Sequence, residues 1–349
     1  MEREPILSVR NLKTYYYQDE GIVKAVDGAT FDVYEGETIG VVGESGCGKS
    51  VTARSILRIV EKPGRIADGQ ILWRQGHNGQ TKIIDLTTLN ANGRQMRSIR
   101  GGDIGLIFQE PMTSFSNFYT IGNQIGELIS LHTRLGAKET RSRTIDMLRL
   151  VGIPHPEQRI DQYSFQLSGG LRQRAMIAMA LSCDPRLLIA DEPTTALDVT
   201  TQAQILELMS RLQQERKMAI MLITHNLGVV AEMADDVVVM YLGRVVEVGS
   251  VDEVFHQAKH PYTQALLRSI PSIDAEPRTK LPTIVGSIPH PYDRPRGCPF
   301  YPRCPSFMPG VCDVHEPSLL PVADRQQASC FLYEKPPETS SPAEKQGSG

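Results

Sequence analysis

The glycine-rich segment Gly43–Ser50, which reads GESGCGKS, is the part of the sequence that most directly suggests chemistry. It fits the pattern G-x-x-x-x-G-K-[ST], follows the apolar run Ile39–Gly43 and precedes a helix-compatible stretch, Ser50–Val60. Glycines let successive backbone N–H groups turn toward a phosphate, and the start of a helix adds positive partial charge. Lys49 can reach the β- and γ-phosphates of a nucleotide, and the Ser50 hydroxyl can ligate Mg²⁺. The segment predicts a nucleotide site formed by Ser45, Gly46, Cys47, Gly48, Lys49, Ser50 and Val51.

Two adjacent carboxylates follow another apolar run, Leu187–Ala190. Ligands of open α/β sheets bind where parallel strands end, so Asp191 and Glu192 are placed to meet the same phosphates. Asp191 suits the coordination shell of Mg²⁺, and Glu192 can accept a proton from a water molecule that attacks the γ-phosphate. An apolar run that ends in Asp-Glu is weak evidence alone, but together with the phosphate loop it predicts nucleotide hydrolysis.

Strands must lead into both of these segments, and up to about residue 250 the sequence alternates between strand-like and helix-like stretches. This alternation predicts a doubly wound α/β fold with a parallel sheet, and Ala219–Thr224 reads as a further buried strand. Residues 113–183 contain no comparable strand run, which predicts a helical subdomain at about residues 110–183. The expected helices there are Asn123–Ser130, Glu139–Val151 and Leu171–Ser182.

Length, composition and charge exclude several classes of protein. The 349 residues suggest about two domains, and 40% apolar with 22% charged residues is ordinary for a globular chain. A net charge of -3 gives no basic field that would favour nucleic acid or anionic lipid. The sequence has no apolar run of about 18 residues that could cross a bilayer, and its N-terminus predicts no export signal. Residues 336–349 are polar and predict a disordered tail.

Four of the six cysteines, Cys298, Cys304, Cys312 and Cys330, lie in a proline-rich segment. A chain without an export signal is expected in a reducing compartment, where such a group more often binds metal than forms disulfides. The spacing C-x5-C-x7-C-x17-C lacks the C-x2-C pairs of a zinc ribbon, and four thiolates suit either an iron–sulfur cluster or Zn²⁺. His315 is a possible substitute ligand, and four unligated thiols are the remaining alternative.

A third motif, Leu167–Arg174 (LSGGLRQR), resembles the signature sequence of ATP-binding-cassette (ABC) ATPases. As in that family, it lies shortly before the strand that ends in two carboxylates. Other segments resemble family elements in the family's order. Gln109, in the sequence FQEP, resembles the Q-loop glutamine; Asp198, in TALD, resembles the D-loop aspartate; and His225 resembles the switch histidine.

The resemblance covers about residues 8–250 and implies a P-loop NTPase cassette with a RecA-like core, an antiparallel β edge and a helical subdomain. It implies that the chain binds ATP and Mg²⁺ and hydrolyses the ATP. Tyr16, which Tyr15 and Tyr17 flank, matches the aromatic residue that stacks on adenine. The implied metal-binding residues are Ser50, Gln109 and Asp191, and the implied catalytic residues are Glu192, His225 and Gln109.

The same resemblance implies that two cassettes form a head-to-tail dimer, in which each ATP lies between one chain's phosphate loop and the other chain's signature. Ser168, Gly169 and Gly170 would then contact the γ-phosphate across the interface through N–H groups at a helix start. The second ATPase subunit is expected to be a paralogue, which would make the pair a heterodimer.

A narrower resemblance, to the ATPases of oligopeptide and dipeptide importers, covers the rest of the chain. His260–Leu267 (HPYTQALL) and Gly297–Pro305 (GCPFYPRCP) carry it. It divides the chain into a cassette at 1–250, a C-terminal domain at 251–335 and the tail. It also implies a [4Fe–4S] cluster on the four cysteines, with Zn²⁺ as the alternative.

The chain is therefore interpreted as the ATPase subunit of a peptide importer, peripheral on the cytoplasmic face of the cell membrane. Its expected partners are the second ATPase subunit, two transmembrane permease subunits and an extracytoplasmic substrate-binding protein, with no nucleic acid. Nickel or oligosaccharides are the alternative cargoes. A soluble ABC-type switch without permeases is disfavoured because such proteins commonly carry two cassettes or a long coiled-coil insertion. A redox sensor with a vestigial cassette is disfavoured because Lys49, Asp191, Glu192 and His225 are all present.

Overall fold

A computed structural model describes residues 4–77, 80–109, 114–195, 197–270, 284 and 286–334. In this part of the chain the strands form two sheets, one with four antiparallel strands and one with eight strands of mixed direction. The described strands are β1 Leu7–Gln18, β2 Gly21–Val33, β3 Thr38–Val42, β4 Gly64–His77, β5 Gln80–Asp85, β6 Ile104–Ile107, β7 Leu187–Asp191, β8 Ala219–Ile223, β9 Asp236–Tyr241, β10 Arg244–Ser250, β11 Leu320–Pro321 and β12 Gln327–Ala328.

Helices connect these strands, and several begin at the residue types that satisfy free N–H groups at a helix start. Ser168, Asp198 and Asn226 each accept a backbone N–H of the following turn with their side chains. The described helices are α1 Lys49–Ile56, α2 Arg94–Ile99, α3 Ile121–His132, α4 Ala137–Leu150, α5 Pro156–Arg159, α6 Gly169–Leu181, α7 Val199–Arg216, α8 Leu227–Met233, α9 Val251–His256 and α10 Pro261–Arg268, with short 3₁₀ turns at Leu86–Thr88, Ser164–Gln166 and Tyr301–Arg303.

The larger sheet has the strand order β11-β12-β10-β9-β3-β8-β7-β6, and its strands from β9 to β6 are parallel. Strands β3, β7 and β8 are buried along their whole length, which explains why they read as continuous apolar runs. Because they are parallel, their carboxyl ends meet at one edge, where the segments after Val42, Asp191 and Ile223 lie side by side.

The antiparallel sheet, in the order β2-β1-β4-β5, packs into the same core as α1 and one face of the larger sheet. The other face of the larger sheet shares a core with helices α3, α4, α6 and α7. In α3, Ile121, Ile125 and Ile129 recur every fourth residue and are buried, so this helix presents one apolar stripe to its neighbours. The mixed α/β cassette expected from the sequence is confirmed.

The C-terminal extension, residues 251–334, shares its core with the cassette. One apolar cluster contains Val42 and Tyr241 of the cassette together with Tyr262, Phe300 and Cys312 of the extension. The extension also adds β12 to the larger sheet beside β10. The predicted tail, 336–349, lies outside the described residues.

None of the helices that the structure describes is long and apolar enough to cross a membrane.

Candidate active site

The phosphate loop is a tight turn between β3 and α1, and two of its glycines are required by their surroundings. Gly48 has φ 105° and stands at the N-terminus of α1; a methyl group on it would lie 2.3 Å from the carbonyl oxygen of Ala25. Gly43 has φ 146°, and a methyl group there would lie 2.2 Å from the carbonyl oxygen of Met240. Residues other than glycine rarely adopt such φ values. The close approach of β2 and β9 therefore requires glycine at both positions of the loop.

Lys49 is buried inside this turn, where its ammonium group donates to the carbonyl oxygens of Gly43, at 2.7 Å, and Glu44, at 3.2 Å. The loop thus already has its cation in place before a nucleotide arrives. A cavity of about 240 Å³ opens here, lined by Ala25, Ser45, Gly46, Cys47, Gly48, Lys49, Ser50, Val51, Gln109 and Glu192. Burial raises the pKa of the Cys47 thiol, although Lys49 opposes this shift, so the thiol stays protonated near neutral pH.

Ser50 and Asp191, 141 residues apart in the chain, meet at the sheet edge, where the serine hydroxyl donates to a carboxylate oxygen at 2.9 Å. Burial raises the pKa of Asp191, as does the charge of Glu192, while the Ser50 hydrogen bond opposes the shift. A buried carboxylate beside a hydroxyl is an oxygen-rich environment that fits Mg²⁺, and a bound cation would favour the ionised form of Asp191.

Glu192 is the centre of a hydrogen-bonded group drawn from three separate segments. Its carboxylate accepts from Gln109 Nε2 at 3.1 Å and from Thr195 Oγ1 at 2.9 Å, and its other oxygen lies 3.3 Å from His225 Nδ1. Burial opposes ionisation of Glu192, but the hydrogen bonds from Thr195 and His225 and the charge of Lys49 together lower its pKa. The carboxylate is therefore ionised near neutral pH and can accept a proton. The contact with Thr195 was not predicted from the sequence.

The signature residues stand apart from this pocket. Ser168 is the N-cap of α6, with its hydroxyl accepting from Leu171 N at 3.4 Å, and it is exposed together with Gly169. A methyl group on Gly169 would meet no atom within 4 Å. Asp198 caps α7 and accepts from Thr201, whose hydrogen bonds lower the pKa of this carboxyl. The structure does not bring these residues to the phosphate loop of their own chain.

Of the three consecutive tyrosines, two make polar or cation–π contacts with a charged side chain. Tyr15 donates to Asp27, and burial followed by that hydrogen bond raises its pKa. Tyr17 stacks under the guanidinium of Arg65, 4.0 Å from the ring centroid. Tyr16 packs beside Gly64.

The four C-terminal cysteines are all free thiols, and Cys298 and Cys312 are buried. Burial raises the pKa of Cys298 to about 12, and the other three sulfurs add to this shift. Burial raises the pKa of Cys330 to about 11, with Cys304 and Cys312 contributing. The thiols therefore lie close enough to affect one another's ionisation. Within the described ranges, however, no three His, Cys, Asp or Glu side chains converge on a site for a metal ion.

Comparison with known proteins identifies the class to which this site belongs. The family model for the ABC transporter matches residues 26–195, and the model for the oligopeptide/dipeptide transporter C-terminal region matches residues 246–312. Among solved structures, the dimeric cassette MJ0796 gives a TM-score of 0.60 at 24% identity, covering 70% of this chain and 98% of that one. The structure of cbiO1 from Clostridium perfringens, part of an ABC transporter complex, gives a TM-score of 0.58 at 27% identity. The match covers 73% of this chain and 92% of that one.

Curated relatives place the chain more narrowly. It is 49% identical over 331 residues to the oligopeptide transport ATP-binding protein AppD of Bacillus subtilis, covering 95% of this chain and 97% of that protein. It is 46% identical over 325 residues to the dipeptide transport ATP-binding protein DppD of Escherichia coli, covering 93% and 96%. The chain belongs to the ATP-binding subunits of ABC transporters, in the oligopeptide/dipeptide branch, and is an ATPase. The resemblance expected from the sequence is confirmed.

Proposed function

We propose that this chain hydrolyses ATP to drive the uptake of di- or oligopeptides through permease subunits, from the cytoplasmic face of the cell membrane. The carrying observation is the convergence of Lys49, Ser50 and Glu192 on one cavity, with Asp191 hydrogen-bonded to Ser50, in a chain whose C-terminal region matches the peptide-transporter model. We assign 1–250 to the cassette and 251–335 to the C-terminal domain.

The hydrolysis step follows from the contacts around Glu192. A water molecule attacks the γ-phosphorus, the bond to the β–γ bridging oxygen breaks, and ADP and phosphate form. Glu192 takes the proton of the water, while Gln109 and His225 hold the carboxylate in orientation. Lys49 and the loop N–H groups hold the phosphates, and Ser50 and Asp191, with Gln109, would hold Mg²⁺, which supplies charge neutralisation when bound. Tyr16 would stack on the adenine.

The exposed signature supports a dimer. Ser168, Gly169 and Gly170 begin a helix whose free N–H groups favour an anion, yet the phosphate loop of the same chain is elsewhere. The phosphates that this helix start contacts would belong to ATP bound in the phosphate loop of a second ATPase subunit. We assign that subunit to a paralogue.

An apolar groove of about 310 Å³ supports a permease partner. Its lining includes Leu106 and Phe108, the latter directly before Gln109, together with the 72% exposed Leu131. A partner segment inserted there would contact β6 and Phe108, which lead to Gln109, and so could couple its movement to Glu192. Phe108→Ala should weaken co-purification of the permease subunits with this chain.

Transport in reconstituted vesicles tests the cargo. Vesicles are prepared with the two permeases and both ATPase subunits, and the binding protein is added. They should transport a labelled dipeptide or oligopeptide only when ATP is present on the side of the membrane where the ATPase subunits lie. Accumulation of nickel or an oligosaccharide with no peptide uptake would replace the cargo assignment. If neither the permease subunits nor added peptide changes the ATPase activity of the chain, a soluble switch would be favoured instead.

We also propose that Cys298, Cys304, Cys312 and Cys330 hold a [4Fe–4S] cluster. Four free thiols in one segment support this. Burial raises the pKa of Cys298, Cys304 and Cys330, so bare thiolates there are costly unless a cation neutralises them. Anaerobic purification should give about four iron and four sulfide per chain. One zinc without sulfide would indicate the tetrathiolate alternative, and metal-free protein that assembles normally would contradict both.

A further inference from the structure

The second residue of the phosphate loop, Glu44, is held by the C-terminal extension. Arg303 donates to both of its carboxylate oxygens, at 2.8 Å and 3.0 Å, in a two-pronged ion pair. The backbone N–H of Glu44 donates to the Tyr262 hydroxyl at 2.9 Å. The Arg303 side chain is only 4% exposed, so this pair is shielded from solvent far more than a surface ion pair.

The extension fixes Arg303 before any nucleotide binds. Arg303 ends the 3₁₀ turn Tyr301–Arg303 and also donates to the Tyr241 hydroxyl at 3.3 Å. Tyr241, Tyr262 and Phe300 pack their rings together, with centroids 4.7 to 5.4 Å apart. This aromatic cluster gives the guanidinium one rigid position, and it joins the extension to β9 of the cassette.

A carboxylate in a triphosphate-binding loop needs this partner for an electrostatic reason. The Glu44 side chain is 20% exposed in the loop whose N–H groups face the phosphates, and like charges repel strongly where water is partly excluded. The carbonyl oxygen of Glu44 also accepts from Lys49, so a shift of Glu44 displaces the phosphate-binding cation.

We propose that Arg303 is a positioning residue of the nucleotide site, which neutralises Glu44 and, with Tyr262, holds the phosphate loop in its binding conformation. The C-terminal extension then contributes directly to ATP binding. This inference rests on the proposed role of the loop in binding ATP.

A charge-rescue experiment on the full-length chain tests this role. Arg303→Ala should weaken ATP binding about tenfold in calorimetry, because it leaves the Glu44 charge unpaired. Adding Glu44→Gln to the same chain should restore most of the affinity. Arg303→Lys keeps the positive charge but not the two-pronged geometry, so its affinity for ATP should fall about threefold.

The matched control is Arg325→Ala. Arg325 also belongs to the extension and binds both oxygens of a cassette carboxylate, Asp236, at 2.9 Å. Asp236 pairs with Ile39 at the start of β3, whereas the phosphate loop follows the other end of that strand. Loss of this second ion pair should leave ATP affinity unchanged even if it lowers the melting temperature by as much as Arg303→Ala does.

In the assembled transporter, Arg303→Ala should raise KM for ATP several-fold and leave kcat within about twofold. Unchanged affinity in Arg303→Ala, or failure of Glu44→Gln to rescue it, would overturn the inference. If Arg303→Ala does not fold, Arg303→Lys and Tyr262→Phe must each weaken ATP binding, and wild-type affinity in both would overturn it. An unsubstituted chain that binds no ATP would instead overturn the proposed function itself.

Discussion

Two glycine-containing turns of this protein lead into helices, and they differ in what surrounds them. The turn before α1 is enclosed: β2 and β9 crowd Gly48 and Gly43, and Lys49 is buried inside it. The turn before α6 is more open, because Gly169 is exposed and a methyl group on it would meet no atom of another segment within 4 Å. Both offer helix N–H groups to an anion, but only the first is completed by its own chain.

The difference shows that a helix start becomes a binding site only when other segments fix it and complete its charge. Around α1, the cassette supplies Asp191 and Glu192, and the extension supplies Arg303. Around α6, Ser168 and Gly169 are exposed, which agrees with the proposal that a second subunit contacts this helix start. We expect substitutions at the two turns to have different effects on ATP binding and hydrolysis.

The largest effect should come from Glu192→Gln, which removes the base while it leaves both turns intact. Loss of general-base assistance typically lowers a rate by about 10²–10⁴-fold, and steady-state hydrolysis by the assembled transporter should fall in this range. ATP affinity should persist, because the loop and Lys49 are unchanged. Glu215→Gln, on the exposed surface of α7, is the control. Undiminished hydrolysis would show that Glu192 is not the base.

The second effect should come from Ser168→Arg at the open turn. It places a bulky side chain where the partner's nucleotide is expected, and loss of positioned donors typically costs about 10²–10³-fold in rate. Hydrolysis by the assembled transporter should fall, whereas the isolated chain should bind ATP as before. An equal loss of affinity in the isolated chain would mean that the signature is not contributed across an interface.

The smallest effect, and the most direct test of the comparison, is the same substitution at both turns. Gly48→Ala forces a methyl group against Ala25 at φ 105°, and ATP affinity of the isolated chain should fall at least tenfold. Gly169→Ala fills open space inside a helix start, so affinity should be unchanged and the melting temperature equal or slightly higher. Equal loss of affinity in both variants would remove the distinction between the two turns.

Much of the fold could be predicted because its signals are local. The buried strands Leu187–Asp191 and Ala219–Ile223 are continuous apolar runs, and helices α3, α4 and α6 lie within two residues of their expected starts and ends. The strands of the antiparallel sheet were not assigned individually, since β1 and β4 mix polar and apolar residues and contain register shifts that interrupt alternation.

The sequence by itself determined the segments that work through adjacent backbone groups. The phosphate loop and the signature are contiguous because neighbouring N–H groups must converge on one phosphate, so their spacing is visible in the chain. The tertiary structure alone decided which distant side chains meet. Arg303 contacts Glu44 although it lies 259 residues away in the chain, and Tyr262 contacts the same residue across 218 residues. Such contacts depend on how β9, the aromatic cluster and the extension pack, and packing of distant segments leaves no periodic signal in the sequence.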